Sequence, residues 1–574
     1  MRTISHVVSE VACAQSAATF GLMGNGNAYF LDGLTRAEHH FVAVRHETAA
    51  VTAADTFYRV SGSIATATVT YGAGFTNMLT ALAEARMART PLVVVVGDQP
   101  TTGARPWDIN QVDAAAALGV ETLTVTATTA RATADLAYRR ARELRTPVIV
   151  AIPYDLASVP APDTTQAKSA YAETPQTKTL PARALAHREP SGSTLARVAG
   201  LLTSAERPLV VAGQGAKHAH ELVTELANRL DALTATTALG KGTFGDRAGD
   251  LGVCGGFAAE EPARLIQSAD VVLVVGAGLN QFTTAFGHAF GEKATIIQID
   301  DSSAPTNPRV DVFLQADAEV ACRQLLLELP SLKHDEWMRA GSRADGHVAG
   351  DTVASDGLLD PRSLAQSLDE LLPSDRVFVQ DGGHFLGWMP MYARVEKPGS
   401  FHMVGTAFQS IGLGLASAVG AVSALGLTEP GRTTVLATGD GGFLMALADL
   451  ESVVRVSVNS KTVIVIFNDG CYGAEVHQYA SRGVNDAAMQ TGAVDFATVA
   501  RGMGAIGLTL NTLSDLSTLR AWCESDARGT FVIDARISPT VVAPYIEEIT
   551  RVMAATESRF AEMATSPSGT TVQN

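Results

Sequence analysis

The sequence has 574 residues, 46% of them hydrophobic and 18% charged, which predicts several globular domains and excludes a largely disordered chain. Lys and Arg total 43 against 59 Asp and Glu, and the resulting formal charge of −16 disfavours nucleic acid as a partner. The five cysteines contain no C-x-x-C pair, so they predict neither a zinc cluster nor a disulfide framework and are typical of a reducing cytoplasm.

The amino-terminal residues, MRTISHVVSEVACAQ, alternate polar with apolar side chains and lack the uninterrupted apolar core of a signal peptide. Apolar runs such as 92–96 and 271–275 are much shorter than the roughly 20 residues that cross a bilayer. We therefore expect a cytoplasmic protein with no membrane partner.

Short apolar runs that end in Gly, Asp or Asn recur along the chain, and Ala- and Leu-rich stretches separate them. This pattern is typical of buried parallel strands in βαβ units. The strands predicted from it are 92–97, 148–152, 209–213, 271–276, 295–300, 377–381, 434–440, 463–468 and 531–534. The predicted fold class is α/β, with three Rossmann-like blocks built on parallel sheets.

Two stretches interrupt this rhythm: residues 160–193 are rich in Pro, Thr, Ser and Ala, and residues 333–357 show a weaker bias. These interruptions define the predicted domains. We expect a first domain at 1–165, a linker at 166–193, a central domain at 194–335, a second linker at 336–359, a third domain at 360–550 and a tail at 551–574.

The first block contains a carboxylate between a short predicted strand, 41–44, and an Ala-rich helix. Glu47 there would be half-buried and suited to proton transfer, although a helix N-terminal acid stabilised by the dipole is the simpler interpretation. A further strand begins at Ala67 and leads into the turn Tyr71-Gly72-Ala73-Gly74-Phe75-Thr76-Asn77, which alone is a weak anion-binding signal.

The third block has the strongest local signal. The strand 434–438 leads into Gly439-Asp440-Gly441-Gly442, and the next strand, 463–467, leads into Asn468-Asp469. Open α/β sheets bind ligands at the carboxyl ends of their strands. Glycine turns let backbone N–H groups approach a phosphate, and hard oxygen ligands beside them suit Mg²⁺. The pair predicts a site for Mg²⁺ and a diphosphate, with two ordinary strand-end turns as the alternative.

Together the motifs resemble the thiamine diphosphate enzymes of the acetolactate synthase and pyruvate decarboxylase group. They follow that family's order: Arg45-His46-Glu47-Thr48-Ala49-Ala50, 71–77, Gly439-Asp440-Gly441-Gly442-Phe443 and Asn468-Asp469-Gly470-Cys471-Tyr472-Gly473. The resemblance spans nearly the whole chain. It implies pyrimidine-binding, central and diphosphate-binding domains, with thiamine diphosphate and Mg²⁺ as cofactors. It also implies a homodimer at least, commonly a homotetramer, because each cofactor lies between two subunits.

The resemblance also implies roles for individual residues. Glu47 would be the catalytic residue, hydrogen-bonded to the aminopyrimidine ring, and Ile411 would support the bent cofactor. His384 is equally well explained as a turn residue. The implied cofactor-binding residues are Gly72, Gly74, Asn77, Asp381, Gly382, His384, Ile411, Gly439, Asp440, Gly441, Gly442, Tyr472 and Gly473.

Asp440 would be one Mg²⁺ ligand, and two alignments compete for the second. Aligning on Tyr472-Gly473 makes Asp469 the ligand and Cys471 the carbonyl donor, whereas aligning on the first Asn favours Asn468 and Gly470. We prefer Asp469 because a carboxylate suits a hard cation.

Departures from the family pattern bear on the substrate. Pyruvate decarboxylases carry an adjacent His pair after the strand 92–97 and an Asp after Gly in an earlier loop, but this chain has no such pair and reads Gly24-Asn25-Gly26-Asn27. Without those proton donors we expect carboligation: a 2-keto acid, with pyruvate favoured, loses CO₂ and its acyl unit passes to a carbonyl acceptor. The substrate-side candidates are Asn25, Asn27, Gln111, Glu475 and His477.

Other reactions stay open. The same cofactor also serves 2-keto acid decarboxylases, acyloin lyases and C–C hydrolases. The turns 213–215 and 276–278 suggest a nucleotide-binding oxidoreductase instead, but the acidic residue expected at a second strand end is missing. Segments 240–245 and 253–256 resemble flavin-contacting segments only loosely, so FAD is an alternative without support.

Overall fold

The computed structural model describes residues 1–162, 190–492 and 494–565, with side chains as far as residue 555. The strands of this part form three six-stranded sheets in which neighbouring strands run parallel. The predicted α/β fold with three blocks is confirmed. No helix of the described ranges is both long and apolar enough to cross a membrane.

The first sheet and its helices precede residue 154. The elements are α1 (Ile4–Gln15), β1 (Thr19–Gly21), α2 (Ala28–Arg36), β2 (Phe41–Ala43), α3 (Glu47–Ser61), β3 (Thr66–Val69), α4 (Ala73–Asn77), α5 (Leu79–Met87), β4 (Leu92–Asp98), α6 (Gln111–Ala117), β5 (Glu121–Thr124), α7 (Ala130–Leu144) and β6 (Pro147–Pro153). The strand order is β2-β1-β3-β4-β6-β5.

The central sheet follows the segment that the structure does not describe. The elements are α8 (Gly192–Thr203), β7 (Pro208–Ala212), α9 (His220–Arg229), β8 (Leu233–Thr236), β9 (Asp250–Val253), α10 (Glu260–Ser268), β10 (Val271–Val275), β11 (Thr295–Asp300), β12 (Val312–Gln315), α11 (Ala318–Glu328) and α12 (Asp335–Gly341). The order β12-β11-β10-β7-β8-β9 is that of dinucleotide-binding sheets, with a switch point between β7 and β10.

The third sheet repeats the order of the first. The elements are α13 (Pro361–Leu371), β13 (Arg376–Gln380), α14 (Trp388–Tyr392), β14 (Phe401–Met403), α15 (Gly414–Thr428), β15 (Thr433–Gly439), α16 (Asp440–Met445), α17 (Asp449–Val456), β16 (Lys461–Asn468), α18 (Gly473–Tyr479), α19 (Phe496–Gly502), β17 (Ile506–Leu510), α20 (Leu516–Glu524), β18 (Gly529–Arg536) and α21 (Pro544–Thr565). The order β14-β13-β15-β16-β18-β17 makes the first and third domains topological equivalents.

Short 3-10 helices fill several connections. They are Gln214–Ala219, Ala238–Gly240, Gly255–Phe257, Ala285–Gly287, His384–Gly387, Ala480–Arg482, Asp486–Met489 and Leu513–Asp515.

All nine strands predicted from apolar runs are present, each with ends within two residues of the prediction. The strands predicted near Phe41 and Ala67 are also present. The search for apolar runs missed the shorter or more polar strands, namely β1, β5, β8, β9, β12, β14 and β17. Their sequences, such as ETLT in β5 and LTAT in β8, are too polar to stand out as buried strands.

The predicted linkers and tail fall only partly within the described residues. Residues 163–189 and 566–574 lie outside the described ranges, so most of the first linker and the end of the tail cannot be compared. The second linker, predicted at 336–359, begins inside α12. Trp337 there is buried, and its indole N–H donates to the carbonyl of Pro208, so α12 packs on the central sheet.

The first and third domains pack against each other through α3 and α15. Both helices present Ala at the contact, and α15 also presents Gly. A Cβ atom on Gly420 would come within 2.3 Å of the carbonyl oxygen of Ala53. The surrounding apolar cluster continues from the first sheet into the third, with Val51, Phe57 and Val419 buried. The two domains therefore share one hydrophobic core.

A buried ionic network reinforces this contact. Arg59 on α3 donates to Asp55 and Glu84, and its Nη1 donates to the carbonyl of Met403 in the third domain at 2.9 Å. Glu84 in turn accepts from the backbone N–H of Phe408. Burial alone would lower the pKa of Arg59, but the two carboxylates outweigh it and raise that pKa. The cation is therefore compensated where it is buried.

Candidate functional site

A cavity of about 1110 Å³ lies between the central and third domains. Its walls are loops that follow β7, β10 and β11 of the central sheet and β13, β15 and β16 of the third sheet. The third-domain lining includes most of the predicted cofactor and metal residues, namely Gly382, His384, Ile411, Gly439, Asp440, Gly441, Gly442, Asp469, Cys471, Tyr472 and Gly473. It also includes Glu475, which is predicted on the substrate side. Parallel sheets place ligands at this edge.

The glycine turn after β15 lines the cavity with the backbone at the start of α16, and its glycines are packed too closely for side chains. A Cβ atom on Gly441 would come within 2.6 Å of the ring of Tyr472, and one on Gly442 within 2.7 Å of Asp381 Oδ2. Gly473 is equally tight, since its Cβ atom would lie 2.6 Å from Asp469 Oδ2. The wall of the cavity is therefore made of backbone that a phosphate can approach.

Asp381 organises the neighbouring loop from within the domain. Its carboxylate is fully buried and accepts the backbone N–H groups of Gly382, Gly412 and Leu413 at 2.8 to 3.3 Å. Burial raises the pKa of Asp381 to about 6, although these N–H groups oppose the shift. Asp381 thus fixes the turn that carries Ile411 into the cavity and does not itself line it.

Asp440 and Asp469 form a pair of neighbouring carboxylates in the cavity. The pKa of Asp440 is raised, mainly by burial and in addition by the neighbouring charge of Asp469. Thr491 donates to Asp440 Oδ2 at 2.6 Å, whereas Asn468 turns into the sheet and donates to Asp534 at 2.7 Å. The side chain of Asn468 is therefore held against a neighbouring strand, and among the described residues Asp469, not Asn468, lines the cavity. A cation would relieve the repulsion at Asp440.

The described residues contain no cluster of three or more His, Cys, Asp or Glu side chains able to hold a metal ion. Two carboxylates alone leave most of an octahedral shell unfilled. Any Mg²⁺ held by Asp440 and Asp469 would need further oxygens from backbone carbonyls, such as that of Cys471, or from a bound ligand. This is the arrangement expected when Mg²⁺ binds together with a diphosphate.

His384 and His477 lie side by side behind the carboxylate pair, with ring centroids 4.5 Å apart. The Nε2 atom of His384 accepts the backbone N–H of Ala543, so a neutral ring carries its proton on Nδ1. That atom is buried, lies 3.7 Å from Asp469 Oδ2, and has no hydrogen-bond partner in the described ranges. Burial, and then His384, lower the pKa of His477 to about 4.

The first-domain candidates form a second group. Glu47 is the first residue of α3, at the junction of strand and helix that the sequence predicts, and is partly buried. Asn77 Nδ2 donates to Glu47 Oε2 at 3.0 Å, and a Cβ atom on Gly74 would lie 3.1 Å from Glu47 Oε1. The turn 71–77 therefore packs directly on this carboxylate.

The predicted substrate-side residues of the first domain differ in exposure. Gln111 is buried and accepts the backbone N–H of Gly72 at 2.7 Å, which fixes the turn at a positive φ of 61°. Asn27 is also buried and donates to Leu22 and Thr68 within the domain. Asn25 is exposed. The roles predicted for these residues, as for Glu475 and His477, stay predictions.

The two groups do not meet within one chain. None of the predicted first-domain residues belongs to the lining of the large cavity as the described residues define it. The first domain contributes other residues instead, among them Arg59, Arg89 and Arg145. Thr491 also contacts this site, and no local motif in the sequence marks it. Its loop reaches Asp440 by pairing with Gly470 and Tyr472.

Comparison with known proteins agrees with this three-part layout. Three family models match the chain: the N-terminal TPP binding domain of thiamine pyrophosphate enzymes at residues 2–117, the central domain at 195–325 and the C-terminal TPP binding domain at 381–535. Together these models cover most of the chain.

Curated relatives are similar at low identity over most of their length. Pyruvate oxidase from Lactiplantibacillus plantarum is 26% identical over 87% of this chain and 82% of its own. Sulfoacetaldehyde acetyltransferase from Castellaniella defragrans is 27% identical over 87% and 86%, and the acetolactate synthase large subunit from Parasynechococcus marenigrum is 25% identical over 86% and 80%.

Solved structures share the fold. The thiamine diphosphate-dependent 4-hydroxybenzoylformate decarboxylase from Rhodococcus jostii superposes with a TM-score of 0.76, at 22% identity over 93% of this chain and 99% of its own. The benzoylformate decarboxylase from Polynucleobacter necessarius superposes with a TM-score of 0.78, at 19% identity over 94% and 99%.

The pair Asp440 and Asp469 leads us to predict how the free energy of unfolding depends on pH. Because the folded protein raises the pKa of Asp440 above its ordinary value of 3.8, ionised Asp440 destabilises the ligand-free fold increasingly as the pH rises above that value. Asp440→Asn should therefore increase the free energy of unfolding by about 1 kcal/mol at pH 8, and by much less at pH 4.5. Denaturant unfolding without divalent cations measures both values.

The exposed carboxylate Asp526 provides the control. Asp526→Asn should leave stability unchanged at both pH values. A loss of stability in Asp440→Asn that is equal at pH 4.5 and pH 8 would contradict the charge repulsion inferred for this pair.

Proposed function

Because the chain belongs to the thiamine pyrophosphate enzyme family, we propose that it decarboxylates a 2-keto acid and transfers the acyl unit to a carbonyl acceptor. Pyruvate is the favoured donor. The observation that carries the proposal is the glycine-lined wall of the cavity with the carboxylates of Asp440 and Asp469 beside it. A lyase or transferase of this kind would use thiamine diphosphate and Mg²⁺.

The third-domain residues fit the diphosphate end of that cofactor. Gly441 and Gly442 line the cavity in the first turn of α16, where helix N–H groups have no intrahelical partner, so these N–H groups are the candidates for contact with phosphate oxygens. The Nδ1–H of His384 is a buried donor without an acceptor, and such a group is costly unless a ligand supplies one. We assign the diphosphate to these groups and Mg²⁺ to Asp440 and Asp469, with the carbonyl of Cys471 as a further ligand.

The first-domain residues fit the pyrimidine end. When bound, thiamine diphosphate supplies the electron sink for decarboxylation. Glu47 would hold and return the proton at a ring nitrogen through its carboxylate, while Asn77 orients that carboxylate by donating to Oε2. Ile411 reaches the cavity from the loop fixed by Asp381 and would support the cofactor from the side.

A second copy of the chain completes the site in this proposal. Glu47 and the glycine-lined cavity lie in separate groups within one chain, yet both must contact one cofactor molecule. Exposed apolar side chains lie around each group, including Met23 and Trp107 in the first domain and Met445 and Val484 in the third. We infer a homodimer, or a homotetramer built from two such dimers, in which each site pairs two subunits.

Carboligation is favoured over simple decarboxylation by the side chains near Asn25 and Gln111. The loop between β4 and α6 contains no histidine, so it cannot supply the proton donors of pyruvate decarboxylases. A simple 2-keto acid decarboxylase, an acyloin lyase and a C–C hydrolase are the alternatives with the same cofactor. The five cysteines are free thiols, which supports a cytoplasmic location.

The central domain leaves open space for a second ligand. The large cavity reaches the switch point between β7 and β10, where Gly278 has no heavy atom within 4 Å of its Cβ position. β8 ends at Thr236 rather than at an acidic residue, which disfavours NAD. In a thermal-shift titration, thiamine diphosphate with Mg²⁺ should raise the melting temperature and NAD should not. A shift with NAD alone would favour the oxidoreductase alternative.

The catalytic role of Glu47 makes the central prediction. Glu47→Gln should still bind thiamine diphosphate with Mg²⁺, seen as a thermal shift close to that of the wild type, but should lose at least about 100-fold in turnover of pyruvate. Chromatography of the products made from pyruvate alone should detect acetolactate in the wild type.

The control is Glu143→Gln, an exposed carboxylate on α7 that should keep full turnover. Full turnover in Glu47→Gln would overturn the assignment of Glu47. Acetaldehyde without acetolactate or acetoin from the wild type would replace carboligation by the simple decarboxylase.

If each site is shared between two subunits, we can predict the activity of mixed dimers. A hybrid of a Glu47→Gln chain with an Asp440→Asn chain has one intact site if each site joins two subunits, so it should regain about half of the wild-type activity. The two chains would be co-expressed with different affinity tags and the hybrid isolated through both.

A reversed hybrid serves as the matched control. A chain carrying both substitutions, paired with a wild-type chain, should be inactive if sites are shared, because each site then contains one substitution. Half activity in this second hybrid and none in the first would show that each chain holds a complete site.

A further inference from the structure

Arg105, on the loop between β4 and α6, lies in an aromatic cage formed by the rings of Tyr71, Trp107 and Tyr154. Its guanidinium carbon is 4.3 Å from the ring centroid of Tyr71 and 4.5 Å from that of Tyr154, with Trp107 at 5.5 Å. The rings of Tyr71 and Tyr154 meet edge to face at 88°, so the cation sits in the angle between them. Aromatic faces stabilise a cation in this geometry without neutralising it.

Asp108 orients the guanidinium from one edge. Arg105 donates to it through Nε at 2.9 Å and through Nη2 at 2.8 Å, and the Asp108 carboxylate also accepts the backbone N–H of Arg105. This fork uses the Nε edge, so the Nη1 end of the planar group points away from Asp108. The side chain of Arg105 is 17% exposed and that of Asp108 only 2%, so the accessible partner of the pair is the cation.

The cage adjoins the substrate-side group of the first domain. Asn25 Nδ2 donates to the hydroxyl of Tyr71 at 3.0 Å, and Tyr71 directly precedes Gly72. A Cβ atom on Gly72 would lie 3.6 Å from the carbonyl oxygen of Trp107. Arg105 is therefore built into the same wall as Asn25 and the turn that packs on Glu47.

We propose that Arg105 is a specificity residue that binds an anionic group, a carboxylate or sulfonate, on the carbonyl acceptor. The inference rests on the proposed function and narrows its substrate class. In the overall reaction a 2-keto acid, a carbonyl acceptor and one proton give a 2-hydroxy ketone and CO₂. The bond between the keto carbon and the carboxylate breaks, a bond to the acceptor carbon forms, and the acceptor oxygen takes the proton.

This chemistry assigns Arg105 to the acceptor rather than the donor. The donor carboxylate loses its charge as it leaves as CO₂, so a cation bound to it would stabilise the ground state more than the transition state and slow the reaction. An anionic group on the acceptor is retained through the reaction. A fixed guanidinium can bind it throughout, and Arg forms such paired hydrogen bonds well.

Arg105 could instead serve only to hold the loop in shape. That role predicts equal losses with every acceptor, because a misplaced loop would harm neutral and charged molecules alike. A role in anion binding predicts a loss confined to anionic acceptors. Kinetics with two acceptors of similar size separates the roles.

The experiment uses pyruvate as donor with glyoxylate, which is anionic, or glycolaldehyde, which is neutral, as acceptor. In Arg105→Gln the KM for glyoxylate should rise by about tenfold or more, while the KM for glycolaldehyde and CO₂ release from pyruvate stay near wild-type values. Arg105→Lys should recover part of the loss, and Arg139→Gln, at an exposed position on α7, should resemble the wild type. Equal losses with both acceptors, or an unchanged KM for glyoxylate, would overturn the proposal.

A binding measurement separates this proposal from the proposed function. Calorimetry on protein loaded with thiamine diphosphate and Mg²⁺ should show that the wild type binds glycolate, the hydroxy acid that matches glyoxylate, about tenfold more tightly than glycolamide, and that Arg105→Gln binds them equally. Equal binding by the wild type would refute the role of Arg105. Failure to release CO₂ from any 2-keto acid would refute the proposed function, yet the ratio for glycolate and glycolamide would still test Arg105.

Discussion

The buried guanidinium of Arg59 is the constraint on which the relative placement of the first and third domains depends. Removed from water, this cation needs compensation, and Asp55 and Glu84 provide it on one side. The carbonyl of Met403 and the N–H of Phe408 extend the network into the third domain. Separating the two domains would leave the Arg59 guanidinium and the Glu84 carboxylate without the Met403 carbonyl and the Phe408 N–H. The hydrogen-bonding demand of this cluster and the apolar contact of α3 with α15 therefore favour the same arrangement.

In the cavity, by contrast, the buried charged groups under discussion are carboxylates. Asp381 and Asp440 are carboxylates whose burial raises their pKa values, and Asp440 has the additional repulsion of Asp469. Asp381 is stabilised by three backbone N–H groups that no ligand needs to supply. Asp440 and Asp469 accept hydrogen bonds from Thr491 and from the Cys471 N–H, respectively, but they also repel each other. The fold thus compensates the buried charge of Asp381 internally, whereas in the proposed function Mg²⁺ would relieve the repulsion at Asp440.

The sequence predicts the fold well wherever one local signal suffices. Strands such as β10 and β16 are recognisable as apolar runs because both of their faces are buried. The turn after β15 is recognisable by its glycines, which are there because no side chain fits. Other features depend on contacts between distant segments. Nothing near Thr491 indicates its bond to Asp440, and the polar strand β8 owes its burial to its neighbours. The cage of Arg105 joins residues from three loops, so composition and spacing could not reveal it.

The contact of α3 with α15 has a mechanical consequence. α3 begins at Glu47, and α15 begins three residues after Ile411, so in the proposed site each helix begins beside one half of a cofactor. A Cβ atom on Gly420 would lie 2.3 Å from the carbonyl oxygen of Ala53, so the two helices are in close contact. In a dimer of the proposed kind these two ends would serve different cofactors. A shift of one helix would then displace the other, and the two sites would be mechanically linked.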